Sequence, residues 1–584
     1  MRKKLLSTAA MLAVATSVAW SGPVAADDLL GFISEFGLAH TPANDAMTAT
    51  PIKHLVVIFN ENRAFDHYFA TYPMATNPPG EPNFKAAKKT PAVNNLSANA
   101  LPTSNPNLLS DNPNKTNIAN GAGATNPFRL DRTQANTADQ NHGYTPEQSA
   151  YDNGKLDLFP ADTGSGSAGG AGAFGTTGQV MGYFDGNTVT AFWNYAQNFA
   201  MSDNAFTDTF GPSTPGALEV FSGQTDGATF PVLPAGVTPA TIGSLLEEAD
   251  AGVVDGQGGF TLTGDIDPFG DVCSGSPQVQ MTAQNIGDLL NKADLPWGSF
   301  VGGFNLQTVN ANGSTGCGRS TFGAVVGGNV GDYTPHHIWF QYFASTANPT
   351  HARPTSTAAV GFTKVPGTQT VDPANHGYDL NDFIAAVQAG NYPSVSFIKM
   401  AAFQDAHPGN SDPLDEQTGV VNLINFLQQQ PDWKETAVII TYDDSDGWYD
   451  HAFIQPTDRA SFSVIDTLNG KDTCGLGGST EPSGLKNLPV AGRCGPGTRI
   501  PFLVISPFAK QNYVSHVQIT QASVVQFIED NWLRGERLGG GSFDATTGSI
   551  MDMFNFNQLV LNFDETKLVL DPTTGTVVSS APKF

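Results

Sequence analysis

The feature that most constrains this chain is the stretch from Thr436 to His451, TAVIITYDDSDGWYDH. An unbroken apolar run, Ala437 to Ile440, leads through Thr441 and Tyr442 into two adjacent carboxylates, Asp443 and Asp444. Asp446, Gly447, Asp450 and His451 follow. A short β-branched run that ends in a polar turn reads as a buried strand of an α/β sheet. Such sheets gather ligands beyond the carboxyl ends of their strands. Neighbouring carboxylates repel one another unless a cation or a proton lies between them. Asp443 and Asp444 therefore read as metal ligands at the mouth of a sheet.

Other strand ends offer partners for that site. Ile52 to Phe59, IKHLVVIF, is a second buried strand, and Asn60, Glu61 and Asn62 follow it. A carboxylate and an amide oxygen there suit a hard cation. The same residues also suit a helix start, with Asn60 as cap. VSFIK, Val395 to Lys399, is a short strand leading to His407, and RIPFLVIS, Arg499 to Ser506, is a further one. Loops add His142, the pair His336 and His337, and Ser213 in the rigid turn GPSTPG. Ser213 precedes a helical run, where free N–H groups favour an anion. It is a candidate nucleophile, although helix N-cap is the commoner role for serine in such a place. Helices are expected over Val189 to Phe199, Ala240 to Ala249, Leu414 to Gln430 and Gln521 to Trp532.

The first residues, MRKKLLSTAAMLAVATSVAW, read as a secretory leader cleaved near Ala26. No later stretch has the apolar length of about 20 residues that spans a bilayer. A secreted or periplasmic location follows. Cleavage would remove Arg2, Lys3 and Lys4 and no acid, taking the formal net charge from -26 to -29. That charge argues against binding nucleic acid. Export makes disulfides expected among Cys273, Cys317, Cys474 and Cys494. Of three possible pairings the sequence-local one is favoured, Cys273 with Cys317 and Cys474 with Cys494. With 62 Gly, 39 Pro and no clean linker, residues 27–584 read as one loop-rich domain with insertions at about 74–136 and 251–330.

Six blocks of the chain resemble the bacterial phosphoesterases that include secreted acid phosphatases and phospholipases C. They are IKHLVVIFNENRAFDHYF, DQNHGYTPEQSAYDNGKLDLF, FGPSTPGALEVFSG, TPHHIWFQYF, FQDAHPGNSDPLDEQ and ITYDDSDGWYDH with GTRIPFLVISPF. The resemblance implies an α/β fold with an alkaline-phosphatase-like central sheet flanked by helices. It implies one divalent metal ion held by Glu61, Asn62, Ser213, Asp443 and Asp444. It also implies a nucleophile at Ser213 and phosphate contacts from His142, His337 and His407, with His336 the neighbouring alternative to His337. Ala64, Ala70, Gly216 and Ala217 depart from the family's usual residues; the last two point toward the acid phosphatase branch. The activity implied is hydrolysis of phosphate monoesters through a phosphoserine. The alternative is a phospholipase C acting on phosphatidylcholine-like diesters, for which Trp339, Tyr342 and Phe343 are candidates for a cage around a quaternary ammonium.

Overall fold

A computed structural model describes residues 42–97, 106–456, 464–475, 482–557 and 566–580 of the chain. The leader expected over residues 1–26 lies outside them, as does part of the insertion expected at about 74–136.

The chain is an α/β protein built on one eight-stranded sheet. Its strands are β1 (His54–Asn60), β2 (Ala200–Ser202), β3 (Trp297–Val301), β4 (Gly377–Asp379), β5 (Val395–Lys399), β6 (Thr436–Tyr442), β7 (Phe502–Ile505) and β8 (Tyr513–Ser515). Their order across the sheet is β4-β3-β5-β1-β6-β7-β2-β8. The five strands from β4 to β6 run parallel, β7 runs against both its neighbours, and β2 and β8 are parallel to each other. Strands β1, β5 and β6 are buried along their whole length. Their near-continuous apolar runs suit strands covered on both faces.

The apolar runs seen in the sequence become β1, β5, β6 and β7. One expectation needs correction. Residues 251–330 are not wholly an insertion, because Trp297–Val301 is β3 and lies between β4 and β5 in the main sheet. Its sequence, WGSFV, has a glycine and a serine where a long apolar run would have signalled a core strand. The rest of that stretch contributes to a five-stranded sheet containing Asp226–Thr229, Gly252–Val254, Phe260–Leu262, Asp267–Pro268 and Gln278–Met281.

The expected helices are present as α1 (Thr190–Asn198), α2 (Ser213–Ser222), α3 (Ile242–Glu248), α4 (Pro413–Gln428) and α5 (Ala522–Trp532). Helix α4 starts where Asp412 accepts from the Leu414 and Asp415 N–H groups at 2.8 and 3.1 Å. Pro413 occupies its first turn, where no donor is lost. Helix α2 is buried at all ten positions and packs on α5. Disulfides join Cys273 to Cys317 and Cys474 to Cys494, the sequence-local pairing.

Candidate active site

Register brings the acidic residues together. Asn60 stands opposite Tyr442, and the two strands are parallel. The next residues on each, Glu61-Asn62 and Asp443-Asp444, therefore leave the sheet side by side. On the other flank of β1, Ile58 pairs with Ile398, so Lys399 comes next on β5, close below the level of Glu61. The Asn62 N–H donates to Asp443 Oδ1 at 3.2 Å, and Arg63 N–H to the Asp444 carbonyl at 2.9 Å. Asn62 turns the chain with φ 53°, a left-handed conformation that asparagine tolerates better than most residues.

Helix α2 delivers the hydroxyl. Pro212 is the cap residue and makes no side-chain cap bond, so Ser213 begins the helix instead of capping it. The commoner N-cap role thus does not hold here. Ser213 Oγ lies 2.9 Å from Glu61 Oε2 and 3.3 Å from Asp444 Oδ2, within donating distance of both. The turn before it is pinned by Glu147, whose carboxylate accepts from the Gly211 N–H at 3.0 Å and the Ser445 hydroxyl at 2.8 Å. Gly216 lies against the end of β6: a Cβ there would come within 2.0 Å of the Asp443 carbonyl oxygen. Only glycine lets the helix sit this close.

Three histidines border the same point. His337 Nδ1 is 2.8 Å from Glu61 Oε1. The rings of His337 and His407 are stacked at 5.9 Å, and His142 meets His407 edge-on at 6.0 Å. His336 turns away, 3.4 Å from Asp267. His142 Nδ1 bonds the Gln140 carbonyl at 2.8 Å, and its Nε2 faces the Asn62 side chain at 3.3 Å.

The structure therefore brings together Glu61, Asn62, Ser213, Asp443, Asp444, His142, His337 and His407. It also adds Lys399, which sequence reasoning did not single out. The Lys399 ammonium is buried and bonds Glu61, and it lies 3.5 Å from Asp443 Oδ2. A lysine ending a strand reads as a solvent-facing terminus, and only the placement of β5 beside β1 reveals otherwise. Trp339, Tyr342 and Phe343 do not form a cage. All three are buried in the core, where Trp339 Nε1 donates to Ser299 and the Tyr342 hydroxyl donates to the Ile266 carbonyl. The end of the DDSDGWYDH motif braces the fold. Asp450 binds Arg499 Nε at 3.0 Å, and Arg499 also reaches Asp66, which pairs with His451.

The electrostatics fit a bound cation. Glu61, Asp443 and Asp444 each place a carboxylate oxygen within 4.8 Å of the others, and all three are fully buried. The Lys399 ammonium faces only two of the three, Glu61 and Asp443. Burial would raise the Glu61 carboxyl, but the Lys399 charge and the hydrogen bonds around it more than offset this and hold it low. Burial and then Glu61 push Asp443 up to about 8. Burial and then Asp443 drive Asp444 well above its ordinary value. Buried carboxylates crowded in this way are stabilised by a hard divalent ion.

The histidines differ in charge. Burial, then the charges of His336 and Lys399, hold His337 well below its ordinary value. Burial works against protonation of His142 too, but Asp139 and Asp265 outweigh it and raise that imidazole.

Residues 52–533 match the model of the phosphoesterase family, most of the chain, and the protein belongs to that family. A non-hemolytic phospholipase C of Burkholderia pseudomallei is 24% identical over 492 residues, covering 84% of this chain and 56% of that protein. Phospholipase C A of Mycobacterium tuberculosis is 24% identical over 475 residues, covering 79% of this chain and 69% of that one. The matched region thus spans little more than half of the first relative. A solved protein of the alkaline phosphatase superfamily from Vibrio parahaemolyticus aligns over 73% of this chain and 75% of its own, with 11% identity and a TM-score of 0.24. A likeness that distant bears on neither the site nor the substrate.

Proposed function

We propose that this chain is an exported, metal-dependent acid phosphatase that hydrolyses phosphate monoesters through a phosphoserine at Ser213. The observation that carries the reading is the Ser213 hydroxyl, 1% exposed and 2.9 Å from Glu61, between a buried carboxylate cluster and three histidines. Glu61, Asn62, Asp443, Asp444 and Ser213 would hold one divalent ion. That ion would offset phosphate charge and favour the serine alkoxide.

The chain's own groups do the rest. Ser213 Oγ attacks phosphorus, the bond from phosphorus to the leaving alcohol breaks, and the proton of the hydroxyl passes to the acidic cluster. His337 and His407 border the phosphoryl oxygens, and His337 holds Glu61 through its Nδ1. His142, whose imidazole Asp139 and Asp265 raise against its burial, gives its proton to the leaving oxygen. Water then attacks the phosphoserine, releasing inorganic phosphate and restoring Ser213. Lys399 positions Glu61 and balances part of the site's charge. On this assignment the rate is expected to fall as pH rises through the histidine range.

The chain is read as one phosphoesterase domain following a cleaved leader, in the periplasm or outside the cell. Two disulfides accord with export. No helix among the described residues is long and apolar enough to cross a membrane. A second reading, a phospholipase C, is favoured by the names of the relatives. One assay separates the two: a soluble phosphate monoester and phosphatidylcholine, each offered to the purified protein with its metal. Turnover of the monoester alone supports the phosphatase, and turnover of the phospholipid alone replaces it with the second reading.

A further inference from the structure

Beside the catalytic serine the surface opens into a cleft of about 380 Å³ between α3 and the turn that carries Ser213. Pro212, Val237, Ile242, Leu245, Leu246 and Ile266 give it apolar walls. Three of its lining residues belong to the machinery's own segments. Pro212 precedes Ser213, Gly143 follows His142, and Asp265 accepts the Thr214 N–H at 2.9 Å. The cleft therefore lies beside the segments that carry Ser213 and His142.

We propose that this cleft receives the apolar part of the alcohol esterified in the substrate, and that α3 sets a preference for phosphate esters of apolar alcohols over those of sugars. The inference rests on the phosphatase reading of Ser213.

Three features support it. Leu245 keeps 45% of its surface in water on a short helix, although burying a side chain of that size is worth far more than leaving it exposed. Such a residue at the mouth of a concave site provides contact area for a ligand. The wall is also held in place. Asp250, just past α3, accepts from the Thr145 N–H and hydroxyl at 2.8 and 3.0 Å, which fastens α3 to the segment beginning at His142. Finally, the carboxylates of Asp250 and Asp265 line the cleft and repel an anion. The phosphoryl group is thus directed to the histidines, and the cleft is left to an uncharged alkyl or aryl group.

The test uses the full metal-loaded protein and a series of alkyl phosphates from methyl to hexyl, kept monomeric in solution. Burial of each added methylene raises kcat/KM by up to about fourfold until the cleft is filled. Leu245→Asp and Val237→Asp flatten that dependence and leave methyl phosphate turnover within about twofold of wild type. Both side chains are at least partly exposed, and circular dichroism checks that each variant is folded. A flat chain-length dependence in the wild type, with methyl phosphate still hydrolysed, overturns the inference and spares the phosphatase reading. A slope that survives both substitutions also overturns it. If the variants change the mass in solution but not the slope, the cleft is a contact between copies of the chain and the inference falls. Absence of turnover for every ester removes the inference and its parent reading together.

Discussion

Replacing Gly216 with alanine tests how closely the Ser213 helix must rest on the end of β6. The added Cβ would stand 2.0 Å from the Asp443 carbonyl oxygen and 2.6 Å from its carbon, where separations under 3.0 Å are essentially never found. Both atoms are backbone at a buried strand end, so α2 must retreat by about 1 Å to restore that separation. Ser213 lies three residues earlier, on the same face of the helix, and moves with it away from Glu61 and Asp444. A displacement of about 1 Å at a reacting group lowers the rate by about 100-fold. Overpacking of this kind costs about 1–3 kcal/mol, less than the stability of about 5–15 kcal/mol typical of a folded protein, so the variant remains folded. The assay is kcat on a soluble phosphate monoester at saturating substrate, well below the melting temperature, with circular dichroism as the check on folding. A folded variant with kcat within about threefold of wild type would refute the claim that helix seating positions the hydroxyl.

Other consequences follow from the buried charges. Exhaustive chelation is expected to lower turnover by at least about 100-fold and to reduce the melting temperature, since three crowded carboxylates lose their counterion; addition of a divalent cation restores both. Full activity at less than about one tenth of an equivalent of metal, measured by elemental analysis, would contradict this. Burial raises Glu416 from its ordinary value to about 7, although it accepts from Asn60, Tyr68 and Tyr442. Because the folded value exceeds the unfolded one, the folded state binds the extra proton. The contribution is present below about pH 4.5 and is lost as pH rises to about 7, amounting to about 3 kcal/mol at most. Glu416→Gln is expected to flatten the fall in stability over that window in urea titrations; an unchanged pH dependence would contradict the assignment.

Much of the fold was legible because β1, β5, β6 and β7 are apolar runs bounded by polar turns. The strands that were not legible, such as Gly377–Asp379 and Ala200–Ser202, are three residues long, too short for a periodic signal. They acquire strand geometry from neighbours already in place. The acidic cluster was readable for the same reason as the strands: each of its residues follows closely on an apolar run. Lys399 and Gly216 were not, since their importance is a matter of distance to residues far away in sequence. His336 and His337 could not be ranked by order in the chain. Only the short turn Pro335–His337 decides which ring faces Glu61. The apolar cleft depends on α3 meeting the Ser213 turn, which no local pattern encodes.

Phosphatase chemistry at this site requires the hydroxyl of Ser213 to become covalently bonded to phosphorus during turnover. The most direct measurement is acid quenching of the metal-loaded protein during hydrolysis of a radiolabelled monoester, followed by peptide mapping. Label is expected on the peptide carrying Ser213, stable in acid as a phosphate ester of serine is, and absent from Ser213→Ala, which also loses turnover. Label on another residue, or turnover retained in Ser213→Ala, would show that the serine is not the nucleophile.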